Sequence, residues 1–196
     1  MTYIRPALVL VLLFTLLTGI TLPLAFTGAA TALVPERANG SLIVRNGTIV
    51  GSALIGQNFT ADRYFHPRPS ATTDTDPDDP AKTIPVPYNA SSSGGSNLAP
   101  SSKALLDRVR ADITKIGPTP VPGDMVTSSA SGLDPDISPA TAARQVTRVA
   151  AARGLSEDRV RALVMAQMKG RLLGFLGEPR INVLALNMAL DDAQTR

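Results

Sequence analysis

Four stretches of this 196-residue chain bring reactive or ligand-holding residue types close together. Asp74-Thr-Asp-Pro-Asp-Asp-Pro begins like a calcium loop, with carboxylates at its first, third and fifth positions. Its sixth position, which such a loop gives to glycine, is Asp79, and its twelfth, where a bidentate glutamate belongs, is Pro85. A solvated acidic loop is therefore the better reading. His66 is the only histidine. A Ser–His–Asp relay is arithmetically available, but no Gly-x-Ser-x-Gly elbow accompanies it, and a site built on imidazoles needs a second ring. Set between Phe65 and Pro67, His66 reads as a packing or loop hydrogen-bonding residue. In Ser93-Gly-Gly-Ser-Asn97, successive glycine amides can cradle an anion. No Gly-Lys-Ser/Thr comes after it, so this is not a phosphate loop of the Walker type, and the likeness to the Ser-Gly-Gly-Gln signature of ABC ATPases spans only four residues. A plain turn is the simpler reading. Ser131-Gly-Leu-Asp-Pro-Asp-Ile-Ser-Pro139 reads as a rigid helix-entry loop, in which Gly132 permits an awkward backbone angle and Ser138 caps the next helix. None of these stretches supplies a nucleophile beside a base, so hydrolase chemistry is not expected.

The elements that must position these residues begin with an anchor. Between Arg5 and Glu36 no residue is charged, a run of 30, and about 20 helical residues cross a bilayer core. In lipid every backbone N–H and C=O must be paired internally, so the run from Ala7 to Ala30 has to be helical there. Pro23 removes one helical hydrogen bond and predicts a kink toward the far end. A cleaved signal peptide is the alternative, since Ala30-Thr-Ala32 is a small-residue site, but the apolar stretch outlasts the ~7–15 residues of a signal core. The short N-terminus favours Met1 in the cytoplasm and the remainder outside, although Arg5 is balanced by Arg37 and Arg45 soon after the span. The expected organisation is a short cytoplasmic N-terminus (1–6), a transmembrane helix (7–30) and an extracytoplasmic soluble domain (31–196).

All sixteen acidic residues lie beyond the span, against eighteen of the nineteen Lys and Arg. A surplus of about two positive charges is too small for a nucleic-acid footprint. Seven basic residues between Arg144 and Arg171 face only Glu157 and Asp158; a solvated helix face is the first reading, and contact with an acidic partner or lipid headgroups the second. The absence of cysteine excludes disulfides and thiolate metal sites.

Asn46-Gly47 between two β-branched runs predicts a hairpin with a type I′ turn, its second strand continuing through Ala53-Leu-Ile-Gly56. From Phe59 to Pro100 the chain is turn-rich, and Pro67, Pro69, Pro77, Pro80, Pro85 and Pro87 interrupt any helix. Tyr64, Phe65 and Tyr88 place most of the soluble aromatics there, which predicts an ordered excursion rather than a linker. Helices dominate the second half. One starts at Ser101 or Ser102, carries Leu105, Leu106, Val109, Ile113 and Ile116 at helical spacing, and stops at Gly117-Pro118. Another runs from Ser138-Pro139 to Gly154. A third starts at Ser156 with Glu157 and Asp158 in its first turn, Lys169 near its end and Val160, Leu163, Val164 and Met168 toward the core. Ile181 to Leu190 predicts a short helix led in by a strand residue or two. The fold class is one N-terminal transmembrane helix plus a single small mixed α/β soluble domain, helical in its second half.

Six segments carry a family resemblance in order: Gly51-Ser-Ala-Leu-Ile-Gly-Gln-Asn-Phe, Tyr64-Phe-His-Pro-Arg-Pro-Ser, Ser93-Gly-Gly-Ser-Asn-Leu, Ser129-Ala-Ser-Gly-Leu-Asp-Pro-Asp-Ile-Ser-Pro, Gln145-Val-Thr-Arg-Val-Ala-Ala-Ala-Arg and Asn182-Val-Leu-Ala-Leu-Asn. With the lone span and the length, they resemble the C subunit of the bacterial Kdp potassium-transporting P-type ATPase, the KdpC family, over nearly the whole chain. The resemblance implies a non-catalytic accessory subunit in the inner membrane. Its partners would be a channel-like potassium-translocating subunit and a P-type ATPase subunit, in a complex that takes up potassium with high affinity. It also implies assembly of that complex and a catalytic-chaperone role that raises the ATP affinity of the ATPase subunit. ATP and potassium would be handled by the complex, with no cofactor or metal bound by this chain alone. At family level, Ser93, Gly94, Gly95, Ser96, Asn97 and Gln145 become nucleotide-binding candidates. Gly56, Gln57, Tyr64, Phe65, Arg68, Ser131, Gly132, Asp134 and Arg148 become motif or partner-contact candidates. The acidic insert Asp74 to Asp79 has no family role. An alternative from another class is a membrane-anchored extracytoplasmic protein that binds a small ligand.

Overall fold

The computed structural model describes residues 2–117 and 120–194. Its N-terminal 30-residue helix Ile4–Leu33 is long and apolar enough to cross a membrane. It is built of α1 (Ile4–Leu16), a π turn (Leu17–Thr21) and α2 (Leu22–Leu33). The π turn falls just before Pro23, whose missing N–H cannot close onto the carbonyl four residues back. The hydroxyls of Thr18 and Thr21 donate within the helix to Phe14 O and Leu16 O. The position of Met1 lies outside the described residues.

A four-residue turn of helix, α3 (Pro35–Ala38), precedes the expected hairpin of β1 (Leu42–Arg45) and β2 (Thr48–Ser52). Asn46 and Gly47 take φ of 51° and 77°, as a type I′ turn requires. The second strand ends at Ser52 instead of running on to Gly56. Beyond it, Ala53 O accepts from Asn182 Nδ2 and Gly56 N–H donates to Leu133 O, so these residues bond to the later part of the chain rather than to β1. The chain divides at this point into two compact units, Met1–Ser52 and Ala53–Arg196.

The core of the second unit gathers around one short antiparallel sheet in the order β5 (Asp136–Ile137), β7 (Arg180–Asn182), β6 (Met168–Lys169). Against it pack α5 (Pro139–Arg153), α6 (Glu157–Gln167) and α7 (Val183–Gln194). Ser138 Oγ accepts from Thr141 N and caps α5. Gly154, at φ 66°, ends it in a left-handed turn that Leu155 N closes onto Ala150 O. Val146, Val149, Val160, Ile181, Leu186 and Leu190 are buried together with Phe65 from the long excursion. Each such side chain contributes roughly 1.5–3 kcal/mol of transfer free energy.

Two local expectations change. The helix from Ser156 ends at Gln167, and Met168 and Lys169 form β6, because Met168 opposite Ile181 completes the sheet. Met168 therefore sits exposed rather than in the core, while Val160 and Val164 are buried and Leu163 packs against them. The helix from Ser102 forms as α4 (Lys103–Ile116) and ends at Gly117, whereas Pro118 lies outside the described residues. Its apolar stripe is only half covered, and Leu106 is exposed. The acidic run forms β3 (Thr73–Thr75) and the turn to β4 (Thr83–Pro85). There Asp76 and Asp79 carboxylates accept from Asp78 N and Ala81 N. Among the described residues no three His, Asp or Glu are grouped to hold a metal.

Candidate functional site

Residues from five loops converge on a knot centred on Ser70, Thr72 and Gly132. Ser70 Oγ donates to Gly132 O at 2.8 Å and accepts from Tyr88 N at 3.0 Å. Thr72 is buried; its hydroxyl donates to Val86 O and accepts from Asn89 N. Arg68 Nη1 meets Asp134 Oδ2 at 2.8 Å, and Tyr88 hydroxyl donates to Arg68 O at 2.7 Å. Burial, with the Asp134 charge beside it, raises the Tyr88 phenol, so it remains a donor. Gly56 lies so close beneath the Tyr88 ring that a Cβ there would come within 2.3 Å of it. Gly94 N and Ser93 Oγ both donate to Ser131 O, which brings the glycine pair and the helix-entry loop into contact.

A clamp on the adjacent segment Tyr64–His66 is built by α5 and α7. Asn187 Oδ1 accepts from Phe65 N at 2.8 Å and its Nδ2 donates to Phe65 O at 3.0 Å. Gln145 repeats the arrangement on His66, at 2.7 and 3.0 Å. Each amide thus substitutes for a strand neighbour and satisfies buried backbone that has no sheet partner. Arg148 donates to Gln145 Oε1, Tyr64 O and Asp62 O, and burial lowers its pKa without discharging it. Arg153, whose side chain is wholly buried, bonds Arg63 O, Gln194 and Asp191 and lies 4.9 Å over the Tyr64 ring. Tyr64 hydroxyl in turn donates to Asp191.

Between knot and clamp lies an open cleft of about 1120 Å³, lined among others by Phe59, His66, Arg68, Tyr88, Lys115 and Arg148. The arginines named here are already engaged, Arg68 with Asp134 and Arg148 with backbone and Gln145. His66 Nε2 lies 3.1 Å from Ala61 O. What the arrangement can do is hold a shaped surface rigidly; it lines up no nucleophile, base and orienting acid.

Among known protein families, the model described as "KdpC: K+-transporting ATPase, c chain" matches residues 4–192. The chain belongs to the KdpC family. It is 61% identical to the potassium-transporting ATPase KdpC subunit of Rhodopseudomonas palustris, covering 97% of this chain and 98% of that one. It is 60% identical to the KdpC subunit of Methylobacterium nodulans over 97% and 96% of the two chains, and 58% identical to that of Methylorubrum populi over the full length of both.

Against KdpC membership the placement of the candidate residues is informative. Ser93–Asn97, Gly56, Arg68, Ser131, Gly132 and Asp134 come together in the knot, where Gln57 O also accepts from Phe59 N. Tyr64, Phe65, Gln145 and Arg148 come together in the clamp. The bonds of the Gln145 amide run to His66 and Arg148, not to Ser93–Asn97. Ser70, Arg153 and Asn187 lie within the motif segments without being singled out as site candidates, and sequence reasoning missed Thr72 and Asp191. It also missed Asp124, which accepts from Ser138 N, Ser138 Oγ and Thr141 Oγ1 at the start of α5. Burial pushes the Asp124 carboxyl up, but these bonds outweigh it and leave its pKa below the usual carboxylate value. An acid fourteen residues before an N-cap carries no local signal.

Burial and the Arg148 charge lower the pKa of His66 from 6.5. The unfolded chain holds that proton more tightly, so protonation favours unfolding. The contribution of neutral His66 is full above 6.5 and is lost as pH falls from there through the lowered native value. Urea unfolding of the detergent-solubilised chain should show stability declining in that window, and His66→Gln should flatten the decline. An unchanged slope would place the ring in water.

Proposed function

We propose that this KdpC chain is a non-catalytic accessory subunit that assembles and stabilises a high-affinity, ATP-driven potassium uptake complex. In this reading it binds the channel-like potassium subunit and the P-type ATPase subunit through its span and its outer domain. The observation that carries the proposal is a family match running from residue 4 to residue 192, which takes in both the apolar helix and the soluble part. Internally satisfied motif loops support it further: a knot whose polar groups bond one another suits a docking surface better than a reaction centre. A free-standing small-ligand binder is not favoured, since Arg68 and Arg148 in the cleft are engaged within the chain.

With Met1 cytoplasmic and the bulk of the chain outside the inner membrane, the soluble domain meets no ATP. Any catalytic-chaperone effect on the ATPase subunit then travels through the complex as a coupling free energy of about 1–3 kcal/mol, some 5- to 150-fold in nucleotide affinity. Direct contact of Ser93–Asn97 with nucleotide is the weaker reading. Small residues such as Gly19 and Ala25 on the exposed span allow close helix approach. Exchanging residues 4–33 for an unrelated apolar helix should therefore preserve membrane insertion yet abolish co-purification with the other subunits. Full recovery of the complex with the exchanged span would overturn a role for the span beyond anchoring. ATP titration of complexes with and without the chain reads the coupling directly.

A further inference from the structure

The connection from β6 to β7 ends in a tip that ordinary folding does not explain. Leu172, Leu173, Phe175 and Leu176 are exposed at 67%, 76%, 69% and 47% of their surface, and Met165 and Met168 nearby are exposed too. Leu173 also takes a φ of 54°, a left-handed conformation that costs a branched apolar residue about 1–2 kcal/mol and that Asn or Gly adopts more readily. Four apolar side chains at a strained, exposed turn contribute little to stability, so their use lies outside the chain.

We propose that this tip inserts into the headgroup–acyl boundary of the membrane that holds the chain. Three observations favour lipid over a protein groove. The tip's backbone is paired in part within itself, which lowers the cost of entering an apolar medium. Leu172 N bonds Leu176 O and Leu176 N bonds Leu172 O, both at 2.9 Å, Phe175 N bonds Leu172 O and Gly174 N bonds Arg171 O. The first charges lie at the neck, where long side chains can reach the headgroups. Lys169 stands opposite Arg180 there, and Arg171 pairs with Glu178 at 2.7 Å. Even counting Asp136, which holds Arg180 at 3.0 Å, the neck carries a net positive charge suited to anionic lipid. Finally, a chain with a transmembrane helix keeps its soluble part confined near the bilayer, so a weak second contact suffices.

The absence of cysteine makes the test direct. Leu173→Cys, Phe175→Cys and, as a control on the exposed turn before β4, Ala81→Cys are labelled with an environment-sensitive fluorophore. The full-length chain is then reconstituted in phosphatidylethanolamine–phosphatidylglycerol vesicles. The labels at 173 and 175 should shift to the blue and be quenched by a lipid-bound quencher, while the label at 81 stays in water. A label at Gly170→Cys should lose its lipid proximity when Leu172 and Leu176 are both changed to Asp, which guards against the dye itself driving insertion. Equal water exposure at 173, 175 and 81 would overturn the proposal. So would shielding at 173 and 175 that arises only when the partner subunits are present, which would assign the tip to a protein interface.

Discussion

Replacing Gly132 by alanine should destabilise the soluble unit by about 2–4 kcal/mol, whereas the same change at Gly154 should cost only about 1 kcal/mol. The two glycines have nearly the same backbone, φ 68° and 66°, so the left-handed conformation penalises both alike. They differ in what surrounds them. A Cβ at Gly154 meets nothing within 4 Å, but at Gly132 it would come within 2.6 Å of Gly94 O and of Thr72 Cγ2. Neither neighbour can retreat freely: Gly94 N is bonded to Ser131 O, and the Thr72 hydroxyl is held by Val86 O and Asn89 N. The excess at Gly132 therefore measures the rigidity of the loop knot. Gly56→Ala should show a similar excess without any contribution from φ, because its Cβ would meet the Tyr88 ring at 2.3 Å and Asp134 O at 2.8 Å. Urea unfolding of the three variants checks this. Equal losses at positions 132 and 154 would mean the knot yields easily and cannot present a fixed surface to a partner.

Arg153→Met should cost about 3 kcal/mol, because it removes the buried member of a charged network and leaves the part-exposed Asp191 and a backbone carbonyl in place. The guanidinium is inaccessible and donates to Arg63 O at 2.6 Å, Gln194 Oε1 at 3.0 Å and Asp191 Oδ1 at 2.9 Å. Methionine fills much of the volume but leaves the Arg63 carbonyl and part of Asp191 without their donor, and the Tyr64 ring with only the more distant Arg63 guanidinium at 5.5 Å. Arg153→Lys should rescue little, since one ammonium cannot reproduce a planar fork serving three acceptors. Arg161→Ala, which breaks an exposed, solvent-screened pair with Glu157, should leave stability nearly unchanged. Midpoints of denaturant unfolding for these variants distinguish the two classes. A small effect of Arg153→Met would show that the clamp on Tyr64–His66 rests on Gln145, Arg148 and Asn187.

Features set by near neighbours in the chain were legible from the residues. The span follows from thirty uncharged positions, while Pro23, which predicts a kink, is preceded in the structure by a π turn. The Asn46-Gly47 hairpin, the Ser138 and Ser156 caps and the Gly154 stop each depend on a few adjacent residues. The KdpC motifs also singled out Gly56, Arg68, Gly132, Asp134 and Arg148, and the structure gathers them into knot and clamp. What was not legible depends on distance along the chain. The basic run from Arg144 to Arg171 reads as a solvated face, yet Arg153 within it is wholly buried, because its acceptors lie 90 and 38 residues away on Arg63 and Asp191. Met168 has the right period for the core and loses that place to strand pairing with Ile181.

By itself, then, the order of residues determined the anchor, the element types and the family, since each rests on periodicity, capping or an ordered set of motifs. Only the tertiary structure decided which polar side chains hold the fold together. Asn187 and Gln145 bond backbone 122 and 79 residues away, and no local pattern marks an amide whose partner is brought to it by the packing of other elements.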